Sequence, residues 1–283
     1  MLKVENVAKA FGKHQVLTDL SFQVNSGEIY GLIGRNGAGK TTLMNIMAGL
    51  SKADAGKCTA QECKVGYLPD LPSFYEYLTT GEYLDFLLKN QNPEKRNELL
   101  SLVELADNLR IKTLSRGMRQ RLGIAAAIIN DPDIILLDEP TSALDPSGRA
   151  DVMRILLNLK KQGKTIVLST HILADMERIC DKVGFLQDGL IKRELYVSEL
   201  NAGCSFVRVV FEEAVAGLMD HFKKANLNFT VLNNQVFRFQ LDGADSLETQ
   251  KVLFQALATC KAKVLSIQNE ASNLDSIFQE VCG

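Results

Sequence analysis

The residues Gly34-Arg35-Asn36-Gly37-Ala38-Gly39-Lys40-Thr41-Thr42 combine spaced glycines, one lysine and paired hydroxyls. Glycines let a backbone curl until several N–H groups face one anion. A helix beginning just behind adds partial positive charge at the same spot. Lys40 is then placed for β- and γ-phosphates, and the Thr41 hydroxyl for Mg²⁺. This chemistry needs a strand before the loop and a helix after it. Glu28 to Ile33 has the apolar run of a strand, and Thr41 to Ala48 has helical apolar spacing.

A second constellation supplies the acids. Ile134-Ile-Leu-Leu leads directly into Asp138, Glu139 and Pro140, with Pro132 on the other side. An apolar run bounded in this way reads as a buried parallel strand. Ligands of parallel α/β sheets sit at the carboxyl ends of the strands, so Asp138 and Glu139 should face the crevice of Lys40. Asp138 suits Mg²⁺, directly or through water. Glu139 suits a water aimed at the γ-phosphate.

Between and beyond these lie Leu114-Ser115-Arg116-Gly117-Met118-Arg119-Gln120, Ser142-Ala-Leu-Asp145 and Ser169-Thr-His171. Together with the two phosphate motifs they resemble the ATP-binding cassette (ABC) ATPases over roughly residues 1–200. The resemblance implies ATP as substrate with Mg²⁺, a catalytic set of Lys40, Glu139, His171 and Ser115, and metal ligation by Thr41, Asp70 and Asp138. It also implies nucleotide contacts from Phe11, the loop residues 34–42, Ser115 and Gly117. In the family, Ser115 and Gly117 would open a helix whose N-terminus meets the γ-phosphate held by the opposite subunit. A serine hydroxyl, a glycine N–H and a helix dipole make an anion site without a large cation. His171 matches the histidine that bonds the γ-phosphate. Ser142 to Asp145 matches the loop passing between the two sites, although an N-cap at Asp145 with Pro146 at the helix start reads equally well locally.

Several positions depart from the commonest family pattern or match it weakly. Phe11 fits the adenine-stacking aromatic, and also a core residue of a short strand. Asp70 stands where most of the family has Gln, and Arg116 where most has Gly. Arg116 and Met118 are similar to the signatures of bacterial type-2 exporters of antibiotics, polysaccharides or lipids. Helical spacing at Thr79 to Leu88 and Glu98 to Leu105 marks a helical arm over about 71–130, which in the family docks the transmembrane partner. Tyr75, Tyr77 and Leu78 are candidates for that contact, or for packing the arm onto the core.

The expected fold is α/β: a P-loop cassette over 1–202 with a parallel sheet core, the helical arm and a small, trimmed antiparallel subdomain. Asp188-Gly189 joins two strands as a hairpin near its end. Residues 203–283 read as β-α-β-β-α-β plus a last helix, a ferredoxin-like accessory domain in which His221 is a surface residue.

Composition narrows the function. A net charge of −2 gives no basic footprint for nucleic acid. Neither a signal-peptide pattern nor a spanning apolar run is expected, so the chain is placed in the cytoplasm, peripheral to the membrane through a separate permease. The six cysteines are scattered, and no histidine lies near Cys58 and Cys63. That pattern fits reduced thiols better than a zinc site. The expected partners are a second copy of the chain, or a paralogous cassette, and the permease. A soluble ABC ATPase acting on ribosomes or DNA is the alternative. It fits less well, because those types carry two cassettes or a long coiled coil between the two phosphate motifs. A small-molecule kinase on the same loop is disfavoured by Ser115, Gly117 and His171.

Overall fold

The computed structural model describes residues 1–59, 63–89, 92–200, 205–213, 217–241, 246–260, 262–270 and 273–282. The chain forms two compact units, one of Met1–Tyr196 with Phe278–Gly283 and one of Val197–Ile277. The sequence boundary at 202/203 and Cys204 lie outside the described residues, as do the first three residues of the helix read from Ala214.

The first unit begins with β1 (Leu2–Phe11) and β2 (His14–Val24), which pair antiparallel; β4 (Ala55–Thr59) adds to the other edge of β1. This three-stranded sheet is the small antiparallel subdomain. The main sheet contains β3 (Ile29–Ile33), β5 (Val65–Leu68), β6 (Ile134–Asp138), β7 (Thr165–Ser169), β8 (Lys182–Gln187) and β9 (Leu190–Tyr196). Its order is β5-β6-β7-β3-β8-β9, parallel except for the β8–β9 hairpin. Every residue of β3, β6 and β7 is buried. Strands covered on both faces carry continuous apolar runs, which is why these three do not alternate. At the hairpin, Asp188 (φ 51°) and Gly189 (φ 73°) are both left-handed, the geometry a two-residue turn requires. Gly189 also leans on β2: its carbonyl accepts from Thr18 N at 3.1 Å, and a β-carbon there would lie 2.6 Å from Val16 O.

The helices of this unit are α1 (Lys40–Met47), α2 (Thr80–Leu88), α3 (Pro93–Leu102), α4 (Arg116–Ala127), α5 (Pro146–Lys161) and α6 (Leu173–Ile179). Thr79 and Glu82 form a reciprocal capping box at the start of α2, so the arm's first helix is fixed locally. The second arm helix starts earlier than its apolar spacing suggested, because Asn92 caps it and Pro93 occupies its first turn. Leu2, Val4, Leu17, Tyr30, Leu32, Leu43, Met44 and Leu136 belong to one buried cluster joining the antiparallel sheet, β3, α1 and β6. The phosphate loop is therefore held from below by packed side chains.

In the second unit, after the short α7 (Val197–Leu200), the order is β10 (Ser205–Phe211), α8 (Leu218–Lys224), β11 (Phe229–Asn233), β12 (Val236–Leu241), α9 (Ser246–Thr259) and β13 (Val264–Glu270). The helix α10 (Leu274–Cys282) follows, its residues from Phe278 onward being grouped with the first unit. The four strands pair antiparallel in the order β11-β12-β10-β13. The core is aromatic: Phe222 is fully buried and meets Phe239 edge-on at 4.8 Å, with Phe211, Phe229 and Phe237 around it. His221 is not a free surface residue. It is half-buried, and its Nε2–H donates to Ala256 O at 2.9 Å, tying α8 to α9.

Candidate functional site

The loop after β3 places its residues as the glycine spacing requires. Gly37 (φ 82°) and Gly39 (φ 103°) are left-handed, and a β-carbon at Gly34 would lie 2.6 Å from Leu186 O. Side chains are excluded at all three for different reasons, two conformational and one steric. Gly39 caps α1 without any side-chain bond, which leaves the first-turn N–H groups of α1 to an incoming anion. Lys40 is buried, and its Nζ donates to Gly34 O (2.9 Å) and Arg35 O (3.3 Å). Thr41 is exposed at the same helix start.

The acids at the end of β6 meet this lysine. Glu139 Oε1 lies 3.7 Å from Lys40 Nζ, and Glu139 Oε2 accepts from His171 Nδ1–H at 2.9 Å. One carboxylate thus touches both the phosphate-loop cation and the histidine that follows β7. Asp138 is buried, and its Oδ1 accepts from Ser169 Oγ at 2.5 Å. Its Oδ2 is buried with no protein hydrogen-bond partner. A buried carboxylate oxygen without a partner is costly, and a divalent cation would satisfy it. Burial, together with the charges of Asp138 and Asp70, pushes the Tyr67 hydroxyl up to about 12.

Two features of this cluster were not legible in the motifs. Glu139 has φ 51°, a left-handed backbone that bulky residues avoid. Such strain persists where the surroundings hold it, and here the Glu139 N–H is held by both Ser169 O (3.1 Å) and Ser169 Oγ (3.0 Å). Ser169 therefore fixes Asp138 and Glu139 together. The sequence drew attention only to His171 within Ser169-Thr-His171. The change from the apolar run Ile166 to Leu168 to the hydroxyls of Ser169 and Thr170 was the available signal.

Phe11 is 57% exposed, which removes the core reading and leaves its ring free, with Lys9 Nζ 5.5 Å from the ring centre. A cavity of about 470 Å³ lies beside the phosphate loop, lined among others by Gln15, Val16, Arg35, Asn36, Asp188 and Gly189. The signature forms a different surface. Ser115 is exposed and is itself the N-cap of α4: its Oγ accepts from Met118 N at 3.2 Å. The helix therefore starts within the signature, as the resemblance implied. A β-carbon at Gly117 would meet nothing closer than Leu144 Cδ2 at 3.8 Å. Ser115 and Gly117 line a second cavity of about 390 Å³ with Leu144, Asp145 and Gly148. Asp145 caps α5 through Gly148 N at 3.0 Å, with Pro146 in the first turn. The N-cap reading of that loop therefore holds.

With its helix-start N–H groups free of any side-chain cap and Lys40 beside Glu139, the glycine loop has the form of a phosphate-binding loop in an α/β cassette. Residues 17–142 match the family model described as ABC transporter. An uncharacterized ABC transporter ATP-binding protein of Synechocystis sp., sll0415, is 42% identical over 62% of this chain, which spans 55% of that protein. YcbN of Bacillus subtilis, also an uncharacterized ABC transporter ATP-binding protein, is 30% identical over 98% of this chain and 95% of its own length. The linearmycin resistance ATP-binding protein LnrL of the same organism is 28% identical over 100% of this chain and 98% of its own. Among solved structures, the dimeric post-hydrolysis state of the cassette MJ0796 bound to ADP and Pi is 27% identical, with a TM-score of 0.64. It matches over 70% of this chain and 99% of that one. The chain belongs to the ATP-binding proteins of ABC transporters, an ATPase family.

Proposed function

We propose that two copies of this chain, or one copy and a paralogous cassette, close over two ATP molecules and that the cycle of closing and opening drives a separate membrane permease. One observation carries this reading. The phosphate loop and the signature line two cavities that share no residue. A chain with both halves, each open to solvent, suits a pair in which each ATP lies between the loop of one copy and the Ser115 helix of the other. The dimeric MJ0796 structure with ADP and Pi supports it by analogy. Among the described residues no helix is long and apolar enough to cross a membrane, so a spanning element would come from a partner. The kinship with a linearmycin resistance protein supports export from the cytoplasmic face.

In this scheme the N–H groups of residues 34–42 and Lys40 hold the β- and γ-phosphates, and Phe11 stacks on the adenine. Thr41, Asp138 and Asp70 would hold Mg²⁺, which supplies charge neutralisation at the β- and γ-oxygens. Glu139 orients the attacking water and receives its proton, while His171, aligned by Glu139, bonds the γ-phosphate. Ser115 and Gly117 of the other copy complete the anion site. ATP favours the closed pair because it touches both halves, and cleavage removes the γ-phosphate contacts and reopens it. The second unit, with its β-α-β-β-α-β order, is read as a ferredoxin-like accessory domain.

The test is Glu139→Gln with ATP and Mg²⁺ on a sizing column. Hydrolysis should fall by roughly 10²-fold or more, the scale of a lost acid–base group, while the dimer persists. A monomer at high protein concentration that still hydrolyses at the parent rate would sink the scheme.

A further inference from the structure

Asp70 and Arg116, two departures from the usual family residues, converge on a single hydroxyl. Ser142 Oγ donates to Asp70 Oδ1 at 3.2 Å and accepts from Arg116 Nη2 at 3.4 Å. A serine hydroxyl has one proton to give and lone pairs to receive, so a carboxylate on one side and a guanidinium on the other orient it in a single sense. The two departures are thus complementary in charge. With Gly at 116 the hydroxyl would lose its cationic donor, and with Gln at 70 the guanidinium would lose the negative end of the chain.

The bridging residue also belongs to the turn of the reacting carboxylate. Ser142 N donates to Glu139 O at 3.1 Å, and the next residue, Ala143, is left-handed at φ 51° like Glu139 itself. A turn with a non-glycine left-handed residue at each end has few alternative shapes. Displacing the Ser142 hydroxyl therefore pulls on the backbone that aims Glu139. At the other end Arg116 is the first residue of α4, immediately after the Ser115 cap.

We propose that Asp70, Ser142 and Arg116 are positioning residues of one polar relay, through which the metal-facing loop of a chain's own ATP sets the helix start that seals the other chain's ATP. The inference rests on the cross-chain reading above and adds the route by which the two sites inform each other. Coupling of this kind is reciprocal: sealing by Ser115 must bias Asp70 as much as Asp70 biases Ser115. It is also modest, because Arg116 is exposed.

The experiment measures maximal hydrolysis rate and the Hill coefficient for ATP in the full chain. The variants are Asp70→Gln, Arg116→Gly, the two combined, and Arg116→Lys. Each of the first two should lower the maximal rate by roughly two- to fivefold, the range of a partly exposed pair. Each should also bring the Hill coefficient towards one. The combined variant should be no worse than the poorer single one, because a broken relay cannot be broken twice. Arg116→Lys keeps a cationic donor and should retain most of the coupling. Arg116→Gly should bind ADP as the parent does, which separates coupling from damage to the nucleotide loop. Losses that multiply in the combined variant would overturn the relay, as would a Hill coefficient unchanged throughout or Arg116→Lys behaving like Arg116→Gly. A parent chain that hydrolyses ATP without cooperativity and gives no ATP-dependent Glu139→Gln dimer would overturn the cross-chain reading instead.

Discussion

Lys40 and Ser115 are both proposed to serve anion sites, but their surroundings differ in kind. Lys40 is 7% exposed and touches two loop carbonyls and Glu139, above a cluster of buried side chains from both sheets. Ser115 is exposed, and its oxygen is engaged as the cap of its own helix. The first half-site is shaped by the interior of the fold, the second by the end of a helix at the surface. Interior packing fixes geometry with little freedom, whereas a surface helix start needs something docked against it before its dipole and N–H groups act at full strength. Substitutions in the two halves should therefore fail differently.

The largest effect should come from the interior half. In the proposed scheme Lys40→Ala removes the cation that holds the β- and γ-phosphates and should lower hydrolysis by roughly 10²–10³-fold. Assay of phosphate release checks this, and a variant within tenfold of the parent would remove the lysine from the chemistry. A sharper separation comes from Ser115→Asp. Aspartate caps a helix as well as serine does, so thermal stability should hold. The new negative charge would face the incoming γ-phosphate, and hydrolysis should drop by roughly ten- to a hundredfold, about what one misplaced charged contact costs. ATP binding to the separate chain should survive. If binding by calorimetry collapses as well, the two halves are not separate sites. The smallest effect is expected at Phe11→Ala: about threefold to tenfold in ATP affinity, the worth of one stacked ring, with the maximal rate preserved.

The interior half was also the more legible in the sequence. Gly34, Gly37, Gly39 and Lys40 are spaced by the needs of a backbone around phosphate, and Ile134 to Leu137 had to be apolar because β6 is covered on both faces. These are local constraints, and local constraints leave marks in residue order. The hairpin at Asp188-Gly189 was legible for the same reason, since both residues had to be left-handed. What remained hidden were partnerships between distant segments. Nothing adjacent to Ser169 signals that its hydroxyl holds Asp138 while accepting from Glu139 N. Asp70 and Arg116 each looked like an isolated departure, because Ser142, which joins them, lies far from Asp70 along the chain. The start of α4 was legible through the resemblance alone, because its first turn is polar and apolar periodicity is blind to a helix that begins with polar residues.

The left-handed backbone at Glu139 sets durability against turnover. Glycine adopts that conformation freely, so Glu139→Gly would relieve the local strain at the position whose side chain the proposed scheme assigns to the attacking water. Laboratory evolution that rewards heat resistance alone would find this exchange attractive, and the survivors would be sturdy and inert.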